Sequence, residues 1–167
     1  MNKIGLFYKT DSSKTALVAK KIQKEFGKNI EVIPVDNAWK KEFESYDNMI
    51  VGSSTWFDGE LPTYWDELIP ELETMNLKNK KVAIFGLGDQ INYSDNFVDG
   101  IGILAEAMEK AGATIVGCTS LDGYHFTGSR ALRNNQLLGL AIDIENQSAQ
   151  TDKRIKTWTD QLKQEFE

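Results

Sequence analysis

Five short runs in this chain are apolar on nearly every residue: "KIGLFY" at 3 to 8, "IEVIPV" at 30 to 35, "NMIVGS" at 48 to 53, "KVAIFG" at 81 to 86 and "ATIVGC" at 113 to 118. A strand with one wet face alternates polar and apolar residues, so runs apolar on both faces belong to a parallel sheet covered on each side. The segments between them have helical period. Val18, Ile22 and Phe26 recur in the first, Trp65, Leu68, Ile69 and Leu72 in the third, and Leu104 and Met108 in the fourth. In the last segment Thr151 suits an N-cap and Asp152 the first turn, and Ile155, Trp158, Leu162 and Phe166 follow at spacings of three and four. Helices covering a parallel sheet make a doubly wound α/β sandwich of three layers.

One stretch breaks the alternation. Residues 119 to 136, "TSLDGYHFTGSRALRNNQ", show no helical period and separate the fifth run from a further apolar run, "LLGLAID". A connection of that length is either functional or an insertion, and "LLGLAID" is read as the fifth edge strand resuming after the excursion.

At 167 residues, 41% hydrophobic and 26% charged, the chain has the size and composition of one domain spanning 1 to 167. The formal charge of -6 disfavours nucleic acid or anionic lipid as the main partner and suits a partner with a basic face. Cys118 is the one cysteine, so no internal disulfide forms. Met1, Asn2 and Lys3 lead into the first apolar run without the layout of a signal peptide, and no apolar stretch approaches the roughly 20 residues of a membrane span. The expectation is a cytoplasmic protein that is not integral to a membrane.

In an open parallel sheet ligands bind beyond the carboxyl ends of the strands, near the point where strand order reverses. The loop after the first strand, "YKTDSSKT" at 8 to 15, holds four hydroxyl side chains, Thr10, Ser12, Ser13 and Thr15, with the next helix expected to begin near Thr15. Backbone N–H groups and the dipole at a helix start suit an anion, and hydroxyls add donors without adding charge. The alternative is that Ser12 or Ser13 simply caps the helix. The loop is not a Walker loop, because the required glycines are missing. "GLGDQ" at 86 to 90 contains G-x-G but lacks a third glycine and follows the fourth strand, a weak dinucleotide signal. The loop after the third strand, "SSTWFDGELPTYW", brings Trp56 and Phe57 to that edge, and the loop after the fourth, "GLGDQINYSDNF", brings Tyr93. Two aromatics beside a phosphate-type turn make a slot for a planar ring carrying a phosphate tail.

With these features the chain resembles the flavodoxins along its whole length, from "KIGLFY" through "PTYWDEL", "GLGDQ" and "LDGYHF" to "GLAID" and "NQS". The stretch 119 to 136 is similar to the loop that marks the long-chain members. The resemblance implies a five-stranded parallel sheet of order 2-1-3-4-5, interrupted in strand five, with flavin mononucleotide (FMN) held non-covalently at its carboxyl edge by a monomer. It places Thr10, Asp11, Ser12, Ser13, Lys14 and Thr15 in the phosphate loop, where the family usually has glycine at the position of Ser13. A serine there is strained by about 1 kcal/mol or more if the backbone needs a positive φ, and gains a hydrogen bond if it does not. Trp56 and Tyr93 correspond to the rings that stack on the isoalloxazine, and Asp89 and Gln90 to its pyrimidine edge. Phe57, Asp58 and Gly59 correspond to a turn facing the flavin N5, where a peptide flip accompanies reduction in the family. Ser54, Thr55, Gly86, Leu87, Gly88, Asn96 and Phe97 complete the implied cofactor-binding set.

The implied function is a low-potential one-electron carrier with no substrate of its own. A flavin packed among aromatics and acidic loops resists a second negative charge, which lowers the potential of the second electron. A flavin-dependent NAD(P)H quinone or azo reductase is the alternative on the same fold, but Trp56 and Tyr93 would obstruct its substrate pocket. A phospho-receiver domain has "KTD" and "GSS" where its acidic pair and phospho-accepting aspartate belong. The family's partners are redox proteins: a flavodoxin/ferredoxin-NADP reductase, a pyruvate oxidoreductase or a nitrogenase reductase. No metal-ligand spacing or Ser-His-Asp arrangement is present; His125 is expected to pack its loop and Cys118 to be a buried small apolar residue. Asp58, Glu60, Asp66, Glu67, Asp89, Asp95 and Asp99 are expected to crowd the flavin edge as a negative docking surface.

Overall fold

The computed structural model describes residues 2 to 56 and 58 to 167. Parallel strands β1 (Ile4–Tyr8), β2 (Ile30–Pro34), β3 (Asn48–Ser54), β4 (Lys81–Leu87) and β5 (Thr114–Val116) lie in the order β2-β1-β3-β4-β5. The crossovers hold helices α1 (Ser13–Phe26), α2 (Lys40–Glu44), α3 (Thr63–Leu72) and α4 (Asp99–Lys110). Both faces of the sheet are covered, as the doubly apolar runs require. From β3, Met49 and Val51 enter a core with Trp65 and Leu72 of α3 and Leu104 and Met108 of α4. Ile50, one residue out of phase, enters the opposite core with Val18 and Ile22 of α1.

The fifth edge position is occupied in two instalments. β5 pairs with the first half of β4, Lys81↔Thr114 to Ala83↔Val116, and the chain then leaves the sheet. It returns as β9 (Leu140–Ile142), paired with the second half of β4 from Phe85↔Leu140 to Leu87↔Ile142. The excursion is stiffened by a small antiparallel sheet of β6 (Thr119–Ser120), β7 (Leu132–Arg133) and β8 (Gln136–Leu137), in the order β6-β8-β7. Helix α5 (Ile144–Gln147) leads to α6 (Thr151–Glu165), whose Ile155, Trp158 and Leu162 are buried beside α1. Thr151 is already helical, at φ -57 and ψ -54, so it is the first residue of α6 and not its cap. Among the described residues no helix is long and apolar enough to cross a membrane.

Candidate functional site

The carboxyl ends of β1, β3, β4 and β9, at Tyr8, Ser54, Leu87 and Ile142, reach one edge of the sheet. Helix α1 begins at Ser13, two residues before the expected start, because a serine can open a helix as readily as end a loop. Its N-cap Ser12 has extended backbone, and the hydroxyl is turned away from the helix, with Ser12 Oγ donating to the Lys9 carbonyl at 2.6 Å. The capping alternative therefore fails: the side chain of the N-cap satisfies none of the first-turn N–H groups. Thr10, Asp11, Ser13 and Lys14 are exposed and Thr15 is buried. Ser13 is absent from the residues with positive φ, so the serine carries no left-handed strain. Lys9 is held back from the loop by Asp36 at 2.9 Å and by Asp11, and these bonds raise its pKa, Asp36 foremost. Lys14 pairs with Glu145 of α5.

After β3 the chain closes a tight turn in which Trp56 and Glu60 exchange backbone hydrogen bonds, both 2.7 Å. Trp56 is 42% exposed. Phe57 lies outside the described residues. Gly59 has φ +91, and a Cβ there would sit 2.4 Å from an oxygen of Asp99, so glycine is required twice over. Ser54 continues the β3–β4 pairing opposite Leu87, and Thr55 bridges two elements: its N–H donates to the Leu87 carbonyl at 3.2 Å and its Oγ1 accepts from Gly100 N at 3.0 Å.

The loop after β4 is tied down from within. Asp89 accepts from the N–H groups of Ile91 and Asn92 at 3.1 and 2.9 Å and from the side-chain amides of Asn92 and Asn146, both 2.8 Å. Burial alone would raise its pKa, but those bonds, Asn92 N–H first, outweigh burial and hold it at about 2. Gln90, 4% exposed, points inward: its amide donates to Asp143 at 2.8 Å and its oxygen accepts from His125 N at 2.8 Å. Tyr93 stands out, 53% exposed. Gly86, Leu87 and Phe97 are buried and Gly88 is partly so; the ring of Phe97 packs on Tyr124 and Phe126 of the inserted loop. Leu87 and Phe97 thus offer a ligand backbone and not side chain. Asn96 donates to Asp99 at 3.3 Å.

Three expectations need correction. Asp99 is 3% exposed, with Oδ1 accepting from Arg130 N at 2.7 Å, so it anchors the inserted loop and is no part of a docking surface. Cys118 is half-buried, and burial raises its thiol pKa. The His125 side chain is exposed, and only its backbone secures the loop. Two further groups shape this edge without a local motif to mark them. Val98, fully buried at φ 48, is a β-branched residue in left-handed conformation, strain of the kind held at functional sites. Asp143, with no exposure, receives Gln90 and Asn146; its signal was a charge ending an apolar run.

This is a doubly wound α/β protein whose candidate site is the carboxyl edge of its sheet, with a helix start uncapped by its N-cap side chain and exposed aromatics from two neighbouring loops. The flavodoxin family profile matches residues 6 to 158. The chain is 46% identical to a flavodoxin of Synechococcus elongatus over 168 residues, 99% of each chain. It is 48% identical to one from a Nostoc species over 165 residues, covering 98% of this chain and 97% of that one. Its fold superposes on the crystal structure of Fusobacterium nucleatum flavodoxin bound to FMN with a TM-score of 0.95, 34% identity and both chains fully covered. The chain belongs to the flavodoxin family.

Proposed function

We propose that this protein is a low-potential one-electron carrier that binds FMN non-covalently at the carboxyl edge of its sheet and passes electrons between redox proteins. The observation that carries the reading is the start of α1, where N–H groups without a side-chain cap and the hydroxyls of Thr10, Ser13 and Thr15 meet the edge that also presents Trp56 and Tyr93. These residues fit the group. Hydroxyls and N–H groups hold the phosphate without a full positive charge, and Trp56 and Tyr93 flank the ring. Gly59 and Asp58 face its reactive edge; Ser54, Thr55, Gly86, Leu87, Gly88, Asp89, Asn96 and Phe97 shape the walls. When bound, the flavin supplies one-electron chemistry; the chain binds it, excludes water from its faces and surrounds it with acidic loops that disfavour added negative charge.

Redox proteins are the family's partners; a flavin-containing NADPH reductase, a pyruvate oxidoreductase and a nitrogenase reductase are the classes we put forward. A monomer of one domain in the cytoplasm belongs to the same reading. The quinone reductase alternative is set aside because both aromatics occupy the approach to the ring.

Calorimetry with FMN and with riboflavin tests the assignment. At least two charge-assisted hydrogen bonds of roughly 1.5 kcal/mol are missing with riboflavin, so FMN is expected to bind at least about 100-fold more tightly. Equal affinities would overturn the phosphate site.

A further inference from the structure

A groove of about 650 Å³ opens between α6 and the start of the inserted loop, and none of its lining residues belongs to the loops after β1, β3 or β4. That volume is in the range of small-molecule sites. Leu140 and Trp158, almost fully buried, and half-buried Cys118 form its apolar base. Its walls are fastened: Trp158 Nε1 donates to Gly117 O at 2.8 Å, Gln161 Nε2 to Cys118 O at 3.0 Å, and Gln147 Nε2 to Gly123 O at 2.8 Å.

Three groups of the lining have no ionic or hydrogen-bond partner among the described residues. Gln147 Oε1 is buried without a hydrogen-bond partner, the one such side-chain atom among the described residues. Turning the amide over does not help, because the Gly123 carbonyl needs the N–H at the other position. A buried, unpaired acceptor calls for a donor. Arg154 Cζ lies over the Tyr124 ring, 4.1 Å from its centroid, and Arg154 makes no ion pair among the described residues, whereas Arg130 and Arg133 are paired with Glu106 and Glu109. Lys153 beside it also lacks a carboxylate partner among the described residues, and the single acid of the groove, Asp122, leaves the lining with net positive charge.

We propose that this groove binds a small planar organic acid: an aromatic ring carrying one carboxylate and one N–H or O–H donor. The carboxylate lies toward Lys153 and Arg154, the ring against Leu140 and Trp158, and the donor reaches Gln147 Oε1. An inorganic anion would meet the cations but leave the apolar base and the acceptor unmet. A neutral apolar molecule would leave the cations unmet.

Amide spectra of the isotopically labelled, FMN-loaded protein, titrated with para- and meta-aminobenzoate, benzoate, aniline and inorganic phosphate, test this. Because the flavin slot is filled and shares no residue with the groove, the outcome is independent of the flavin reading, and flavin-free protein is expected to respond alike. At least one aminobenzoate isomer is expected to give saturable shifts at residues 118 to 124 and 147 to 161, with Kd about 1 mM, as suits so small a ligand. Benzoate is expected to bind about tenfold more weakly, and Arg154→Gln to weaken aminobenzoate about tenfold. Gln147→Leu is expected to abolish the preference over benzoate; should that variant not fold, the comparison of the two ligands on the unaltered protein decides the same point. Benzoate matching aminobenzoate, phosphate shifting the same amides, or no saturable shift would overturn the proposal and leave Gln147 Oε1 to an ordered water.

Discussion

The loops after β1 and β4 share one sheet edge and a polar composition, yet they use their polar atoms in opposite ways. In the β1 loop the Ser12 hydroxyl donates to the Lys9 carbonyl, the side chains of Thr10 and Ser13 are exposed, and the first-turn N–H groups of α1 have no side-chain cap from the N-cap residue. In the β4 loop Asp89 accepts four hydrogen bonds, Gln90 is engaged at both ends of its amide, and Asn96 is held by Asp99. One loop keeps its donors available; the other consumes them to stand Tyr93 upright. Counting polar residues cannot distinguish these roles. Finding which are already satisfied can.

The strongest way to break this contrast is Asp143→Ala. Asp143 is fully buried, and its Oδ2 accepts from Gln90 N at 3.1 Å and Gln90 Nε2 at 2.8 Å while Oδ1 accepts from Asn146 N at 3.0 Å. Truncation leaves the two Gln90 donors buried and unpaired and removes the bond to Asn146 N, and urea unfolding is expected to show a loss of about 3 kcal/mol. A loss below about 1 kcal/mol would mean that water replaces the carboxylate, and the β4 loop would not be the internally held one.

The two loops also differ in how well a sequence reader could see them. The strands were legible because burial on both faces leaves an unbroken apolar run, and the return of the chain at Leu140–Ile142 was legible for the same reason. Helix α2, five residues long, is too short to show a period, and the two-residue strands β6, β7 and β8 have no alternation to read. The start of α1 at Ser13 is not legible, because serine favours a loop and a helix start equally. The hydroxyls of the β1 loop announced themselves by number, whereas Asp99 resembled the exposed acids around it. Its burial goes with the bond from Arg130 N–H, 31 positions away, which no local pattern encodes.

Ser13→Gly sharpens the contrast from the other side, with a smaller effect. Because Ser13 has no positive φ, glycine relieves no strain and simply removes a donor. FMN affinity is expected to fall about fivefold to tenfold, the worth of one hydrogen bond of roughly 1 kcal/mol, with riboflavin affinity unchanged. Calorimetry reads both. A hundredfold loss would make this hydroxyl a principal phosphate ligand, and a gain would show that the serine backbone is strained.

The smallest effect belongs to the acids that neither loop buries. Asp58, Glu60, Asp66, Glu67 and Asp95 are exposed, while Asp99 is removed from the surface and Asp89 is committed to its four donors. Glu60 and Asp66 share a depression of about 290 Å³ with Arg130, whose guanidinium is itself paired with Glu106. The edge is therefore less negative than its composition suggests. Electron transfer from a basic redox partner is expected to slow as ionic strength rises, since exposed charges are screened beyond a Debye length of about 8 to 10 Å. Glu60→Gln with Asp66→Asn is expected to shallow that dependence and change the low-salt rate by no more than about threefold, because each exposed pair contributes roughly 1 kcal/mol or less. Stopped-flow rates over a salt series, with the potential measured on the same samples, separate steering from a change in driving force. An unchanged salt slope in the neutralised variant would move the docking surface away from the turn at residues 56 to 60 and leave these acids as solubilising charge.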